Sequence, residues 1–350
     1  MNQNIKKNIK HLIIKGLKYS GITKLFYILN RNRKKIICYH NIIPDKYFSD
    51  NINLDYSIKE SNFRSHMDII TKKFNIGLDL YDSSKITITF DDGYLNQYLL
   101  GSKILDEYNI NGYFFYCASL LDKQDTLLID KIQYWIDYVK PGKYNNKKYK
   151  LNLDISDKQS RRIEIKKINQ LLENKISIEE VCNLLDEMYK FDSIELPKEF
   201  YTLRFTPINK INLEDMKKNG HKIGAHSSLH KALSDLTEEE LEEDISKCRR
   251  LLDNGIYNTK TFCYPFGSEI EVSNKVMEKV KEKGFKNALS FVNNDFKRNN
   301  NDYFIPRMSL PDTNDEYLID FILSGTCYFI HNYKLFPKVK LENDMEYDYE

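Results

Sequence analysis

Residues 86–94 read Ile-Thr-Ile-Thr-Phe-Asp-Asp-Gly-Tyr. The β-branched run is typical of a short buried strand, and the Asp-Asp-Gly that follows ends it in a turn. Gly93 permits a sharp backbone turn that brings the carboxylates of Asp91 and Asp92 to one mouth. Active sites of parallel β/α folds gather at this edge of the sheet, and two adjacent carboxylates shift each other's pKa there. Taken alone, the segment also fits an ordinary Asp-Gly turn.

Strands and helices alternate on both sides of this turn. Asn212 and Thr237 are predicted to cap two of the helices. The alternation predicts a parallel sheet or a barrel. The runs that predict its strands are 35–42, 86–90, 112–116, 261–264 and 288–291.

The alternation is interrupted between about residues 122 and 202. Apolar residues from Leu128 to Val139 follow a helical period, those from Tyr149 to Ile155 alternate as in a strand, and a capping box at 177–180 opens a further helix. Because these apolar faces need burial, we predict a mostly helical insertion rather than a linker. We expect the insertion to flank the groove and to shape substrate access.

Residues 226–230 read His-Ser-Ser-Leu-His. Two imidazoles at this spacing would share one face of a helical turn, close enough to bind one divalent metal. No Glu adjoins His226, so the segment is not the H-E-x-x-H arrangement, and by itself it also fits two surface histidines. Together with one Asp of the acidic turn, the histidines leave open metal positions that suit water activation, and the second Asp offers a general base.

Three segments in this order resemble the polysaccharide deacetylases with the NodB homology domain, carbohydrate esterase family 4: TFDDGY at 89–94, IGAHSSLH at 223–230 and FCYPFG at 262–267. The likeness covers roughly residues 35–121 and 203–312. With the alternation, it implies a distorted (β/α) barrel over 35–312, interrupted by the helical insertion at 122–202. Residues 313–350 form a C-terminal extension with an acidic tail.

The resemblance implies a metal-dependent hydrolase that removes N-acetyl groups from the amino sugars of a polysaccharide or lipid-linked glycan, as in cell-surface glycan biosynthesis. Zinc is the default metal for an Asp/His₂ site, although the donor set also admits iron, cobalt or nickel. The matching residues are the metal ligands Asp92, His226 and His230, the catalytic base Asp91, the supporting hydroxyl of Ser227, and Tyr264, whose backbone N–H would face the oxyanion.

Two features depart from the common family pattern. The Arg that many members carry in the third motif is absent, because Thr261, Phe262 and Cys263 precede Tyr264. No Leu-x-His motif near the C-terminus supplies a general acid. One branch of the family resembles the poly-N-acetylglucosamine deacetylases. In it an N-terminal Tyr-His supplies the histidine, and the branch also has a Pro-Arg site.

The first of these substitutes matches Cys38-Tyr39-His40-Asn41, and the second matches Pro306-Arg307. We therefore predict His40 as the general acid and Arg307 as the partner that orients Asp91. The alternatives are a histidine that is merely satisfied at a strand end and an arginine in a surface salt bridge.

The charge is distributed unevenly along the 350 residues, although the total is only +2. The first 35 residues carry ten Lys or Arg and no acid, whereas the last nine carry five acids and no base. We expect residues 1–34 to form a basic amphipathic arm that either lies on an anionic membrane face or packs on the domain. No signal peptide is expected, because Lys15, Lys18 and Lys24 interrupt the apolar run. The expected location is therefore the cytoplasm, with peripheral contact at the inner membrane face.

Several alternatives remain open at the level of sequence. The same fold could serve a non-catalytic glycan-binding protein, and an O-acetyl esterase would use the same chemistry. A nucleic-acid partner is not expected, because no part of such a site needs contacts with a phosphate backbone. The cysteines are scattered without a C-x-x-C pair, which is typical of free thiols in a reducing compartment. They are Cys38, Cys117, Cys182, Cys248, Cys263 and Cys327.

Overall fold

A computed structural model describes most of the chain, and every structural statement below concerns the residues it describes. They are residues 3–48, 54, 56–123, 126–127, 130, 139–147, 150–157, 160–161, 163–164, 168, 180, 197–292 and 301–332. The predicted helix at 128–139 lies almost wholly outside these residues, as does the predicted capping box at 177–180.

Strands and helices alternate along the described chain. The helices are α1 Gln3–Tyr19, α2 Ile22–Leu29, α3 Glu60–Thr71, α4 Lys103–Glu107, α5 Ala118–Lys123, α6 Lys198–Phe205, α7 Lys210–Lys218, α8 Glu238–Asp253, α9 Asn274–Glu282, α10 Glu316–Leu323 and α11 Thr326–Asn332. The strands are β1 Lys35–Tyr39, β2 Asn41–Ile43, β3 Ser57–Lys59, β4 Asn75–Ile76, β5 Lys85–Phe90, β6 Tyr113–Tyr116, β7 Lys143–Asn146, β8 Leu151–Asp154, β9 Lys222–Ala225, β10 Thr261–Cys263, β11 Asn287–Leu289 and β12 Met308–Ser309. A π-helical turn, Gln97–Ser102, precedes α4, and short 3₁₀ turns lie at Asp45–Tyr47 and Leu233–Asp235.

The main sheet is parallel and runs in the order β12-β1-β5-β6-β9-β10-β11. The segment 305–309 reaches both of its edges. Ile305 exchanges backbone hydrogen bonds with Ala288 and Ser290 beside β11, at 2.9 and 2.8 Å, while Met308 pairs with Ile37 of β1. The sheet therefore curls round on itself, and the predicted distorted (β/α) barrel is confirmed.

Alternate residues of each strand face opposite sides of the curled sheet. Ile86, Ile88 and Phe90 of β5 join the outer core under the helices, whereas Ile36 and Phe115 belong to a separate cluster on the other face. This two-residue period is expected of a strand, and burial of both faces explains why the strands read as continuous apolar runs.

Local signals in the sequence locate some element ends well and others less well. The cap predicted at Thr237 is confirmed, and the structure shows a full capping box, in which the Thr237 side chain accepts from Glu240 N and Glu240 reaches back to Thr237 N. The cap predicted at Asn212 is wrong, since Asn209 caps α7 and Asn212 occupies the third position of the box. The strand predicted over 35–42 is interrupted at His40, which separates β1 from β2.

The arm and the insertion are each described in part. The arm forms α1 and α2, and the predicted alternation at Tyr149–Ile155 corresponds to β8, which pairs with β7 as an antiparallel hairpin. None of the helices in the described part of the chain combines the length and apolarity needed to cross a bilayer. The domain limits given above stay predictions.

Candidate active site

The carboxyl ends of four strands of the main sheet bring the predicted site residues to one edge of the barrel. His40 follows β1, Asp91 and Asp92 follow β5, His226 follows β9, and Tyr264 follows β10. Backbone hydrogen bonds hold these ends in register, such as Asp91 N to Tyr39 O at 3.1 Å and His226 N to Tyr116 O at 3.0 Å. Parallel strands thus place residues together that are far apart in the sequence.

The acidic turn has an unusual backbone. Asp92 has a φ of 83° and Gly93 a φ of 109°, both in the left-handed region. A Cβ at Gly93 would collide with the ring of Tyr116, so both the conformation and the space require glycine. The predicted sharp turn at Gly93 is present, and it separates the directions of the two carboxylates.

The two histidines lie in a loop rather than in the helical turn that their spacing suggested. Ser227 and His230 have φ values of 58° and 55°, which no helical turn contains. The Ser227 hydroxyl accepts a hydrogen bond from His230 N at 3.0 Å. Strained backbone of this kind is concentrated at functional sites, because surrounding contacts must hold it in place.

Asp244 of α8 holds this loop from below. Its buried carboxylate accepts hydrogen bonds from Ser228 N at 2.8 Å and from Leu229 N at 3.2 Å. Burial raises the pKa of Asp244 to about 6, although both backbone bonds act to lower it. Two of the three residues between His226 and His230 are therefore tethered by one side chain of the barrel wall.

Three donor atoms from Asp92, His226 and His230 lie within 4.8 Å of one another. Asp92 Oδ1 lies 3.6 Å from His226 Nε2 and 3.3 Å from His230 Nε2. His226 Nδ1 lies 3.0 Å from the carbonyl oxygen of Cys263. A carbonyl can only accept, so this nitrogen carries the proton.

The tautomer of His226 makes a divalent cation the natural occupant of this point. Burial lowers the pKa of His226 to about 4, so the ring is neutral at pH 7 and its Nε2 lone pair faces the carboxylate oxygen. Two electron pairs that face each other repel unless a cation lies between them. The Asp/His₂ set with its outer hydrogen bond from His226 is typical of catalytic zinc sites. The residues present therefore fit the metal that the resemblance implies.

Two other groups of ligand atoms lie within the same distance limit, Cys38 with His40 and Asp91, and Cys263 with His226 and Asp91. Both are poorer metal sites. Burial raises the pKa of each thiol well above its usual value, so the thiolates that a metal requires are disfavoured. Both oxygens of Asp91 are also occupied by Arg307.

Asp91 is fixed by a buried, bidentate ion pair inside the barrel. Arg307 Nη1 lies 2.7 Å from Asp91 Oδ1 and Nη2 lies 2.6 Å from Oδ2, while the guanidinium also donates to Thr89 Oγ1 and Ser290 O at 3.1 Å each. Burial, the largest influence, acts to raise the pKa of Asp91, but the charge and hydrogen bonds of Arg307 act with other nearby groups to hold the pKa below the usual range. Arg307 is thus no surface residue, and Asp91 stays ionised at neutral pH.

His40 lies beside Asp91, with one ring nitrogen, an Asp91 oxygen and Cys38 Sγ within 4.8 Å of one another. Its ring contacts Tyr56 and Phe291, at centroid distances of 5.5 and 6.4 Å. The ring therefore lies near both Asp91 and two partly buried aromatic side chains, where a substrate could approach it.

The structure counts against the oxyanion role predicted for Tyr264. Its backbone N–H donates to Leu289 O at 3.1 Å, and its buried hydroxyl donates to Tyr303 O at 3.0 Å. Both donors are thus engaged within the sheet edge. A bound acyl group would have to displace the Leu289 carbonyl to use the Tyr264 amide.

Two residues of the site were missed at the level of sequence. Gln97 is fully buried and its amide donates to the carbonyl oxygens of both His40 and Asp91, which ties the ends of β1 and β5 together. Asp244 shares the buried face of α8 with Leu241 and Cys248. A carboxylate on an otherwise apolar helical stripe was the signal that could have found it.

Replacing Asp244 by Asn should weaken metal binding, although Asp244 is not one of the proposed metal ligands. The amide keeps one acceptor oxygen but turns an NH₂ donor toward the other backbone N–H, so the loop that carries both histidines loses part of its support. We expect the metal dissociation constant to rise by about 10- to 100-fold, as measured by competition with a chelator. The exposed neighbour variant Glu243→Gln is the control. Loss of stability at unchanged metal affinity would reduce Asp244 to a purely structural residue.

Comparison with known proteins gives a family match for part of the chain. A family model described as "Polysaccharide deacetylase" matches residues 199–288, about a quarter of the chain. The match contains His226, His230 and Tyr264, whereas Asp91 and Asp92 lie outside it. No curated protein matches the chain significantly.

Two solved structures resemble the whole fold. Deacetylase PplD of Streptococcus pyogenes, in complex with acetate, is 12% identical with a TM-score of 0.51, covering 82% of this chain and 97% of its own. A polysaccharide deacetylase of Bacillus cereus is 12% identical with a TM-score of 0.51, covering 83% of this chain and 68% of its own. At this identity the likeness concerns the fold alone.

Proposed function

We propose that the chain is a polysaccharide deacetylase, a hydrolase of the amide bond in acetylated sugars, and that it removes N-acetyl groups from the amino sugars of a glycan in a metal-dependent reaction. The observation that carries the proposal is the convergence of Asp92, His226 and His230 on one point beside an ionised Asp91. A purely sugar-binding surface has no need of two buried imidazoles and two buried carboxylates at one edge.

Asp92, His226 and His230 would hold the metal. A divalent cation, when bound, supplies Lewis acidity toward a carbonyl and makes a nearby water easier to deprotonate. The Arg307 pair leaves Asp91 a weak base, so it is suited to accept a proton only from a water acidified in this way. Arg307 also fixes the direction in which that proton is taken.

In the proposed reaction Asp91 accepts a proton and His40 donates one. Asp91 takes one proton of the attacking water, whose oxygen forms the new bond to the acyl carbon. The carbon–nitrogen bond then breaks, and His40 donates a proton to the departing amine nitrogen. Acetate and a free amino sugar result. A ring nitrogen of His40 and an oxygen of Asp91 lie within 4.8 Å of each other, and this proximity supports the division.

Release of acetate from N-acetylglucosamine oligomers tests the proposal directly. We expect release by the metal-loaded chain, loss after removal of metal by a chelator, and recovery when zinc, iron, cobalt or nickel is returned. Release only from an O-acetylated glycan would assign an esterase instead. Binding of the oligomers without acetate release, with metal present, would assign a glycan-binding protein.

His40→Asn should separate proton donation from metal binding. We expect turnover to fall by roughly 10²-fold or more, the usual scale for a lost acid or base group. Metal content, measured by elemental analysis, should stay near that of the parent chain, because His40 is not among the three proposed ligands. Unchanged turnover would remove His40 from the reaction. The variant His11→Asn is a suitable control, since this partly exposed histidine lies in α1 and pairs with Asp315.

A further inference from the structure

The first two helices expose several large apolar side chains. Leu12 of α1 and Ile22, Leu25, Ile28 and Leu29 of α2 are between 37% and 67% exposed. We call these five residues the arm surface. The spacing of the four α2 residues places them on one side of that helix. Elsewhere in the described chain, large exposed apolar residues are scattered singly, which is normal for a protein surface.

The opposite side of the arm is fixed to the rest of the protein. Lys18 pairs with Asp320 of α10 at 2.8 Å, His11 pairs with Asp315 at 2.7 Å, and the buried amide of Asn30 donates to Ser324 O at 2.7 Å. The arm therefore does pack on the domain, as one of the two expectations had it. That packing leaves the five side chains of the arm surface 37% to 67% exposed, so it does not explain the outward leucines and isoleucines.

The charge of the arm indicates whether a second copy of the arm or an anionic lipid surface would bind here. The first 35 residues carry ten Lys or Arg and no acid, and Lys24 and Arg31 are exposed next to the apolar residues. A second copy of the arm would bring a like set of cations against the first, at an electrostatic cost. A surface of anionic lipid headgroups complements the cations and admits the apolar side chains between its acyl chains.

We propose that the arm surface docks the protein onto an anionic lipid membrane. Leu25, Ile28 and Leu29 enter the boundary between headgroups and acyl chains, while Lys24 and Arg31 meet the headgroup phosphates. This contact is peripheral and does not require a spanning helix. It is independent of the proposed deacetylase chemistry, because no residue of the arm belongs to the candidate active site.

Co-sedimentation of the full chain with lipid vesicles tests the proposal. We expect binding to vesicles with about 30% phosphatidylglycerol, little binding to pure phosphatidylcholine, and weakening in about 0.5 M NaCl. The double variant Leu25→Ser/Ile28→Ser should lose roughly 10-fold or more in partitioning, and Lys24→Gln/Arg31→Gln should lose binding chiefly at low salt. Ile211→Ser, which removes the exposed apolar side chain of α7, is the matched control and should bind as the parent chain does.

Four results would overturn the proposal. Equal binding to neutral and anionic vesicles would contradict the proposed contact between the cations and the headgroups. Unchanged binding of Leu25→Ser/Ile28→Ser would contradict the proposed insertion of the apolar side chains. A concentration-dependent dimer that this variant abolishes, without vesicle binding, would assign the surface to a second copy. Binding only by a chain that lacks residues 342–350 would instead assign it to the acidic tail.

Discussion

Replacing Asp92 by Asn is expected to abolish most metal uptake and, with it, hydrolysis. The amide keeps the size of the side chain but removes the negative charge that faces both imidazole nitrogens. We expect the metal dissociation constant to rise by more than the roughly 10- to 100-fold that follows loss of a ligand's outer partner. Elemental analysis after dialysis, and chelator competition, measure the change. Full retention of metal would contradict the assignment of Asp92, His226 and His230 as ligands.

The substitution suits the test because asparagine tolerates the left-handed backbone that position 92 requires. Unfolding is therefore not the expected cause of metal loss, and a thermal melt of the metal-free proteins should confirm similar stability. Asp235→Asn is the matched control, because Asp235 is an exposed carboxylate in a 3₁₀ turn after the histidine loop. It should leave both metal content and acetate release unchanged.

Replacing Arg307 by Met is expected to destabilise the fold as well as the reaction. The guanidinium is fully buried and is the charge that compensates Asp91, so its removal leaves a buried carboxylate without a partner. Breaking such a pair from one side costs about 3–5 kcal/mol of unfolding free energy, which denaturant titration of the metal-free chain measures. A loss below about 1 kcal/mol would mean that the pair behaves as an exposed one.

A double-mutant cycle separates the pair from its surroundings. Asp91→Asn alone strands the arginine, whereas Asp91→Asn/Arg307→Met removes both charges from the barrel interior. The double variant should therefore regain much of the stability lost by Arg307→Met, although it stays inactive. Additive losses would show that Asp91 and Arg307 are not coupled. Arg307→Lys keeps the charge but cannot bind both carboxylate oxygens in the same way. Its unfolding free energy should therefore lie between those of the parent chain and Arg307→Met.

The sequence predicted well those features that are encoded by short-range patterns. The β5 strand, the turn at Gly93 and the Thr237 cap each follow from a few adjacent residues whose backbone preferences are strong. The gathering of His40, Asp91, Asp92 and His226 at one edge follows from a single further rule, that parallel strands present their carboxyl ends together.

The features that escaped depend on contacts between distant segments. The histidine spacing suggested a helical turn, but Ser227 and His230 are held in the left-handed region by their own side-chain bonds and by Asp244, sixteen residues beyond Ser228. The engagement of the Tyr264 amide depends on its pairing with Leu289. Neither a local pattern nor a family motif contains that information.

The position of Arg307 has a consequence for how the protein matures during synthesis. It lies within the segment 305–309 that joins both edges of the curled sheet, so closure of the barrel and orientation of Asp91 are one event. A nascent chain that ends before this segment already holds both aspartates and both histidines of the candidate site. Such a nascent chain lacks Arg307, the counter-charge that keeps Asp91 ionised in the interior. The site is therefore completed only when the segment 305–309 joins the sheet, after more than 300 residues have left the ribosome.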